Sequence, residues 1–157
     1  MASKDRILRQ KEETRNNILG AAYDIVKEEG WNGLSMRKIA DRIEYTAPII
    51  YEYFSNKEAI LEELTGKGFN KLAKELQIAI DKFEKPEDQL EAMWMTYWDF
   101  AFTNTEMYQL MFGVQMTCCA QRCSAQEAPY KLFTGVIAEV MKDSNPSEDI
   151  IKQKYFT

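Results

Sequence analysis

Apolar residues, tyrosine hydroxyls and basic side chains occur close together around Pro48 and Ile49. Apolar side chains can contact thymine methyl groups in the major groove of DNA, and the hydroxyls of Tyr51 and Tyr53 can donate hydrogen bonds to phosphates. The basic residues that flank this stretch and could neutralise phosphate charge are Arg37, Lys38, Arg42 and Lys57. The pattern predicts contact with nucleic acid.

Two short helices are predicted to position these side chains. Ser35 is a suitable N-cap for a first helix that runs to about Arg42. After a turn over residues 43–45, Thr46 and Pro48 indicate the start of a second helix that ends near Tyr53. Two short helices joined by a three-residue turn form the skeleton of a helix-turn-helix, whose second helix enters the major groove.

The second helix is expected to have an inward and an outward face. Ile50 and Phe54 lie four residues apart and are predicted to pack against Ile39 and Ile43. This leaves four residues to face outward, namely Ala47, Pro48, Ile49 and Tyr51.

At these residues the sequence resembles the TetR family of bacterial transcriptional regulators. The match at the family's spacing consists of Ser35, Arg37, Ile39, Ala40, Thr46, Pro48, Tyr51, Tyr53, Phe54, Lys57 and Glu58. With the preceding helix it extends over residues 11–66. The family usually has a small residue and glycine in the turn, where this chain has Arg42, Ile43 and Glu44.

The resemblance implies an all-α, ligand-responsive regulator, a repressor, that binds a near-palindromic operator in double-stranded DNA as a homodimer. It assigns phosphate contacts to Ser35, Arg37, Tyr51, Tyr53 and Lys57. It assigns base contacts to Ala47, Pro48 and Ile49, with Arg37 as a further candidate, and Thr46 completes the predicted DNA-binding set. A small, apolar or aromatic effector is expected in the second half of the chain.

The predicted organisation is a basic arm over residues 1–9, a DNA-binding domain over residues 10–57 and a helical effector-binding domain over residues 58–157. Gly30 ends the first long helix, predicted over residues 10–29. A second long helix is predicted from Asn56 to about Phe83, with Gly66 and Gly68 as points where it could bend. This helix begins beside the DNA motif and ends in the second half of the chain, so a shift of its far end could move the DNA-binding helices.

The second half is rich in aromatic and methionine residues. A helix over residues 86–104 has apolar residues on nearly all sides and is predicted to be buried. Shorter helices are expected over residues 106–112, from Pro129 and from Ser147. The candidate effector-binding residues are Trp94, Tyr97, Trp98, Met111, Phe112 and Met116. Compared with the family, the C-terminus is expected to be shortened, together with the helices that pair two subunits.

The composition of the chain argues against an enzyme, a metal or cofactor protein and a membrane protein. The chain has no histidine, phosphate-binding glycine loop or nucleophile elbow, so no enzyme activity and no cofactor or metal is predicted. Residues 1–57 hold ten basic and nine acidic residues, whereas the remaining hundred hold ten and sixteen. The acidic excess therefore lies away from the DNA motif. Without a signal-peptide core or an apolar run of membrane-spanning length, a cytoplasmic protein with no membrane partner is expected.

Two other functions remain open on the sequence. Cys118, Cys119 and Cys123 lie close enough to suggest a thiol- or metal-responsive regulator, although their spacing differs from paired zinc ligands. Alternatively, the exposed surface around Pro48 and Tyr51 could serve a helical protein-interaction module that has kept the fold without binding DNA.

Overall fold

The computed structural model describes residues 2–113 and 124–141, and these residues form seven α-helices and no strand. The helices are α1 (Ala2–Glu29), α2 (Met36–Arg42), α3 (Ala47–Tyr53), α4 (Lys57–Ile80), α5 (Pro86–Thr103), α6 (Thr105–Phe112) and α7 (Glu127–Val140). Short 3-10 turns cover Trp31–Gly33 and Ser124–Gln126. The all-α prediction is confirmed.

The chain divides into two compact units, Met1–Leu64 and Thr65–Thr157. The first unit therefore ends at residue 64, whereas the sequence analysis placed the boundary after residue 57. The difference arises because the first two turns of α4 complete the core of the first unit. There Ile60 and Leu64 are buried.

The first unit is built around the apolar face of α1. Ile18, Leu19, Ala22, Ile25 and Val26 recur at helical spacing and all are buried. The buried apolar residues of the rest of the unit are Leu34, Met36, Ile39, Ala40, Ile50, Phe54, Ile60 and Leu64. The inward packing predicted for Ile50 and Phe54 is confirmed, since both side chains are 2% exposed or less.

The first helix differs from the prediction at one end only. It ends at Glu29 as expected, and Gly30 there adopts a φ of 75°, a left-handed conformation that favours glycine. Its N-terminus, however, is at Ala2, so residues 2–9 belong to α1 and do not form a separate arm. This segment contains no glycine or proline, and five of its eight residues, Ala2, Lys4, Arg6, Leu8 and Arg9, are strong helix formers.

The long helix α4 begins as predicted and ends earlier. Asn56 caps it, because Asn56 Oδ1 accepts a hydrogen bond from the Ala59 backbone N–H at 2.8 Å. Regular α-helix ends at Ile80, and the backbone then tightens into i to i+3 hydrogen bonds at Lys82 and Phe83. Gly68 lies against Met107 and Met111, whose sulfur atoms would be 2.8 and 2.6 Å from an added Cβ. Gly68 thus allows close packing by α6; its expected role in bending stays a prediction.

The second unit is held together by an apolar cluster from α4, α5, α6 and α7. Its buried members are Phe69, Leu72, Leu76, Met93, Phe100, Met111, Phe133 and Val136. Proline begins α5 at Pro86, and Gly113 follows the end of α6, as the sequence predicted. In α7 the helix starts two residues before Pro129, which lies in its first turn.

The expectation that α5 is buried is met on one side of the helix only. Met93 and Phe100 are fully buried, but Met95, Trp98 and Phe102 are 57%, 62% and 68% exposed. Among the described residues, α6 and α7 pack against α5 and leave this second apolar stripe uncovered. None of the helices described here combines the length and hydropathy that crossing a lipid bilayer requires.

Candidate functional site

The turn between α2 and α3 is tightly hydrogen-bonded. Ser35 caps α2, since its Oγ accepts from the Lys38 backbone N–H at 3.2 Å. At the other end of α2, the backbone N–H of Tyr45 donates to the Ala40 carbonyl at 2.9 Å. Glu44 adopts a φ of 58°, in the left-handed region that favours glycine. The helix-turn-helix therefore forms with glutamate, and not glycine, at the one turn position that has a left-handed backbone conformation.

One side of α3 is buried and the other faces outward. Ile50 anchors the inner side, whereas Pro48 is exposed and Tyr51 is 54% exposed. Ala47 and Ile49 are half-buried at the edges of the outer face. The outward positions predicted for Pro48 and Tyr51 are therefore observed, and the outer face of α3 presents an apolar and hydroxyl surface.

The basic residues beside α3 differ in how they are paired. Arg42 forms a two-bond pair with the Glu28 carboxylate, at 2.9 and 2.5 Å, and Lys38 pairs with Glu29. The hydrogen bond from Arg42 lowers the pKa of Glu28 and, in return, raises the pKa of Arg42. Arg37 is exposed, and its side chain forms no hydrogen bond or ion pair within the described part of the chain. Only tertiary structure reveals this division, because the paired carboxylates come from α1.

The remaining DNA-binding candidates flank these helices. Thr46 is the exposed N-cap of α3, and its side chain makes no capping hydrogen bond. Tyr53 is half-buried at the end of α3. At the start of α4, Lys57 Nζ donates to the Trp31 carbonyl oxygen at 3.1 Å. All nine candidates thus lie on α2, α3 and their flanks within the first unit, and their DNA contacts stay a prediction.

In the second unit, several predicted effector residues belong to one aromatic cluster. Tyr97 lies at its centre, with ring centroids 6.0 Å from Trp94, 6.1 Å from Phe112 and 6.2 Å from Phe133. Tyr108 completes the cluster, 4.7 Å from Phe112, and its hydroxyl lies 3.1 Å from the Tyr97 hydroxyl. The edge-to-face arrangement of most of these rings is typical of stable aromatic pairs.

The structure separates the other predicted effector residues. Met111 is buried in the apolar core against which Tyr97 packs. Trp98 lies on the exposed stripe of α5 beside Phe102, with ring centroids 5.0 Å apart, and Met116 lies outside the described residues. The sequence analysis missed Tyr108 and Phe133. The four-residue spacing of Tyr108 and Phe112 could have indicated the first of them.

A cleft of about 320 Å³ also lies between α4 and α5 in the second unit. Its lining is mixed and includes four charged residues, namely Lys71, Glu75, Lys82 and Asp99. Lys71 Nζ already donates to Asn104 Oδ1 at 2.7 Å. None of the five described effector candidates lines this cleft, so it is distinct from the aromatic cluster.

The three cysteines, Cys118, Cys119 and Cys123, lie outside the described residues. Among the residues that are described, no group of three or more side chains could hold a metal ion.

Comparison with known proteins identifies the first unit. Residues 18–64 match the family model for bacterial regulatory proteins of the tetR family. The chain is 31% identical over 94 residues to an uncharacterized HTH-type transcriptional regulator of Haemophilus influenzae, covering 60% of this chain and 50% of that protein. It is 24% identical over 137 residues to the HTH-type transcriptional repressor KstR of Mycobacterium tuberculosis, covering 87% and 62%.

The similarity extends to the fold of both units. A structure of a protein with unknown function from Rhodococcus sp. RHA1 has a TM-score of 0.74 and 24% identity, over 83% of this chain and 69% of that one. The first curated relative is matched over only about half its length. The matched helix-turn-helix lies in the unit where α2 and α3 form the outward surface described above. The helix-turn-helix unit of this chain therefore belongs to the tetR family of bacterial regulatory proteins.

Proposed function

We propose that this chain is a DNA-binding transcriptional regulator, a repressor, whose helix α3 reads the major groove. The observation that carries the proposal is the exposed face of α3 at Pro48 and Tyr51, beside an Arg37 that no described residue pairs. An apolar surface with one available guanidinium suits base edges flanked by phosphates. The protein has no catalytic role in this proposal.

The hydrogen-bonding state of the flanking groups allows them to hold phosphates. Ser35 Oγ accepts from a backbone N–H, so its own hydrogen can still be donated. Lys57 donates one of its three ammonium hydrogens to Trp31, which leaves two. Thr46 and Tyr51 add hydroxyl donors at the exposed edge of α3. The proposed base contacts are those of Ala47, Pro48 and Ile49.

The proposed complex is a homodimer on a near-palindromic operator. Two copies of α3 would enter successive major grooves about one DNA turn, roughly 34 Å, apart. Because α4 starts beside α3 and runs into the second unit, a change at its far end could alter this separation.

The proposed effector is a small apolar or aromatic molecule bound at the aromatic cluster of the second unit. Trp94, Tyr97 and Phe112 supply aromatic edges and faces, and Met111 supplies an adaptable apolar side chain. The Tyr97 and Tyr108 hydroxyls provide one polar point for a ligand hydroxyl or carbonyl. Trp98 is left out of this site because it lies on the exposed stripe beside Phe102.

The first experiment is selection of bound duplexes from a random DNA pool, at two salt concentrations. Enrichment of an inverted repeat is expected, with affinity that falls as salt rises. Arg37→Gln should weaken binding and reduce the salt slope by about one. Lys74→Gln, which removes the same charge from an exposed position in the second unit, is the matched control.

Two variants of α3 then separate phosphate from base contacts. Tyr51→Phe should weaken binding to all duplexes alike, whereas Ala47→Arg should change which sequences are enriched. If the wild-type chain enriches no sequence, DNA recognition is refuted, and the exposed surface of α3 would have to serve a protein partner.

The effector is found by screening apolar and aromatic compounds for loss of operator binding. Tyr97→Ala should abolish the response to an active compound while leaving operator affinity without that compound unchanged. A compound that saturates the protein and leaves operator affinity unchanged would contradict the proposed coupling.

A further inference from the structure

We propose that Arg15 is a positioning residue that couples α4 to the recognition helix α3. The inference deepens the proposed function, because it concerns how the DNA-reading surface is held and moved. All the groups involved lie within the first unit.

The Arg15 guanidinium joins three separate parts of the chain. Its Nε donates to Glu63 Oε1 at 3.1 Å, and its Nη2 pairs with the second oxygen of that carboxylate. Its Nη1 donates to the backbone carbonyl oxygen of Tyr53 at 3.1 Å. Its Cζ lies 4.3 Å from the centre of the Phe54 ring. Arg15 thus connects α1 with the end of α3 and the second turn of α4.

Each of these contacts has a physical role at the end of α3. The Tyr53 carbonyl belongs to the last turn of the helix, where no further helical N–H can satisfy it. A cation placed there also interacts favourably with the helix dipole. Phe54, the C-cap residue, is 2% exposed, so the guanidinium lies over a ring that is fixed in the core. Arg15 therefore holds the C-terminal end of α3 in one orientation against the core.

The pair with Glu63 adds a link between α3 and α4 besides the chain itself. Residues 54–56 connect the two helices directly, and the guanidinium makes a second connection through Tyr53 and Glu63. Because Glu63 is on α4, a rotation or shift of α4 displaces its carboxylate and either carries the guanidinium with it or breaks the pair. If the guanidinium follows the carboxylate, its hydrogen bond to Tyr53, and with it the orientation of α3, must adjust. If the pair breaks, the end of α3 loses its link to Glu63.

Only arginine can make these contacts together. Its planar guanidinium presents donors on two edges, so one edge holds the carboxylate while the other holds the carbonyl. The ammonium of lysine is a single point charge and cannot hold both at these positions. Arg15 differs in this respect from Arg37: the Arg15 guanidinium is hydrogen-bonded within the protein, whereas the Arg37 guanidinium has no partner among the described residues.

The test combines hydrogen exchange with DNA binding. In Arg15→Gln, Arg15→Lys and Glu63→Gln, backbone amides of α3 should exchange about tenfold faster, whereas those of α2 should not change. Arg42→Gln is the matched control for exchange, since it removes a similar two-bond pair that joins α2 to α1 without contacting α3. It should leave exchange in α3 unchanged.

In DNA binding, the Arg15 and Glu63 variants should each lose about tenfold in affinity, a loss of the size found for coupling between sites, with the salt slope unchanged. The double variant Arg15→Gln with Glu63→Gln should be no weaker than either single variant, because both remove one link.

Three results would overturn the proposal. Unchanged exchange in α3 would show that Arg15 does not hold it, and equal acceleration throughout the first unit would indicate a general structural role. A salt slope lowered by about one in Arg15→Gln alone would show a phosphate contact instead. If the wild-type chain binds no duplex, the proposed function fails, but the exchange measurements still decide the role of Arg15.

Discussion

Replacing Glu44 with glycine should stabilise the protein. Glu44 has a φ of 58°, where the Cβ of an L-residue crowds the backbone at a cost of about 1–2 kcal/mol. Glycine removes this cost but gains freedom in the unfolded chain, which returns about 0.4–1 kcal/mol. The side chain is exposed and makes no hydrogen bond or ion pair among the described residues, so nothing else is lost. A net gain of about 0.5–1 kcal/mol is expected.

The assay is the free energy of unfolding from urea titration, supported by the melting temperature. A gain of this size corresponds to a rise in Tm of roughly 1–4 °C for a chain of this length. Glu52→Gly is the matched control, because it makes the same substitution at an exposed position with helical backbone in α3. It should lose about 0.5–1 kcal/mol.

A further variant separates backbone strain from charge. Glu44→Ala keeps the Cβ and removes the carboxylate, so it should not reproduce the gain. If alanine stabilises the protein as much as glycine does, the effect comes from the charge. If glycine gives no gain, the strain argument for this turn is wrong.

Three further predictions concern single side chains. Glu28→Gln should release Arg42 from its ion pair and raise DNA affinity severalfold. Glu84→Gln, which makes the same charge change in the second unit, is the control, and equal affinities of the two variants would refute the idea that the pair keeps Arg42 from binding phosphates. Gly20→Ala should raise the free energy of unfolding by about 0.5–1 kcal/mol, because Gly20 lies within α1 with nothing within 4 Å of an added Cβ, and an unchanged urea midpoint would contradict this. Tyr97→Phe should lower the free energy of unfolding by about 1 kcal/mol through loss of its hydroxyl contact with Tyr108, and a variant as stable as the wild type would show that this contact contributes nothing.

Local signals explain why much of the fold was predictable. Ser35 caps α2, Pro86 begins α5 and Gly30 ends α1, and each acts on the backbone within a few residues of itself. The buried side of α3 was predictable for the same reason, since helical periodicity places Ile50 and Phe54 together. The N-terminus of α1 was placed too late in the chain because residues 4–10 are exposed and the buried apolar face of the helix begins only at Ile18, so periodicity gives no signal there.

The aromatic residues of the second unit show the limit of periodicity. Because α5 carries apolar residues on nearly every side, its periodicity does not predict which side packs against the neighbouring helices. The contacts with α7 bury Met93 and bring Phe133 to Trp94 and Tyr97, whereas Trp98 stays exposed. Separating Trp98 from the other predicted effector residues therefore required the positions of neighbouring helices.

The sequence by itself determined that this chain has a helix-turn-helix, where its short helices begin and which face of α3 is outward. Tertiary structure decided which charges that surface can use. Arg42 is paired with Glu28 and Arg15 with Glu63, while no described residue engages Arg37. The physical reason is the distance along the sequence over which each effect acts. Caps and helical periodicity act over a few residues, whereas these ion pairs join residues far apart in the sequence that only the packing of the helices brings together.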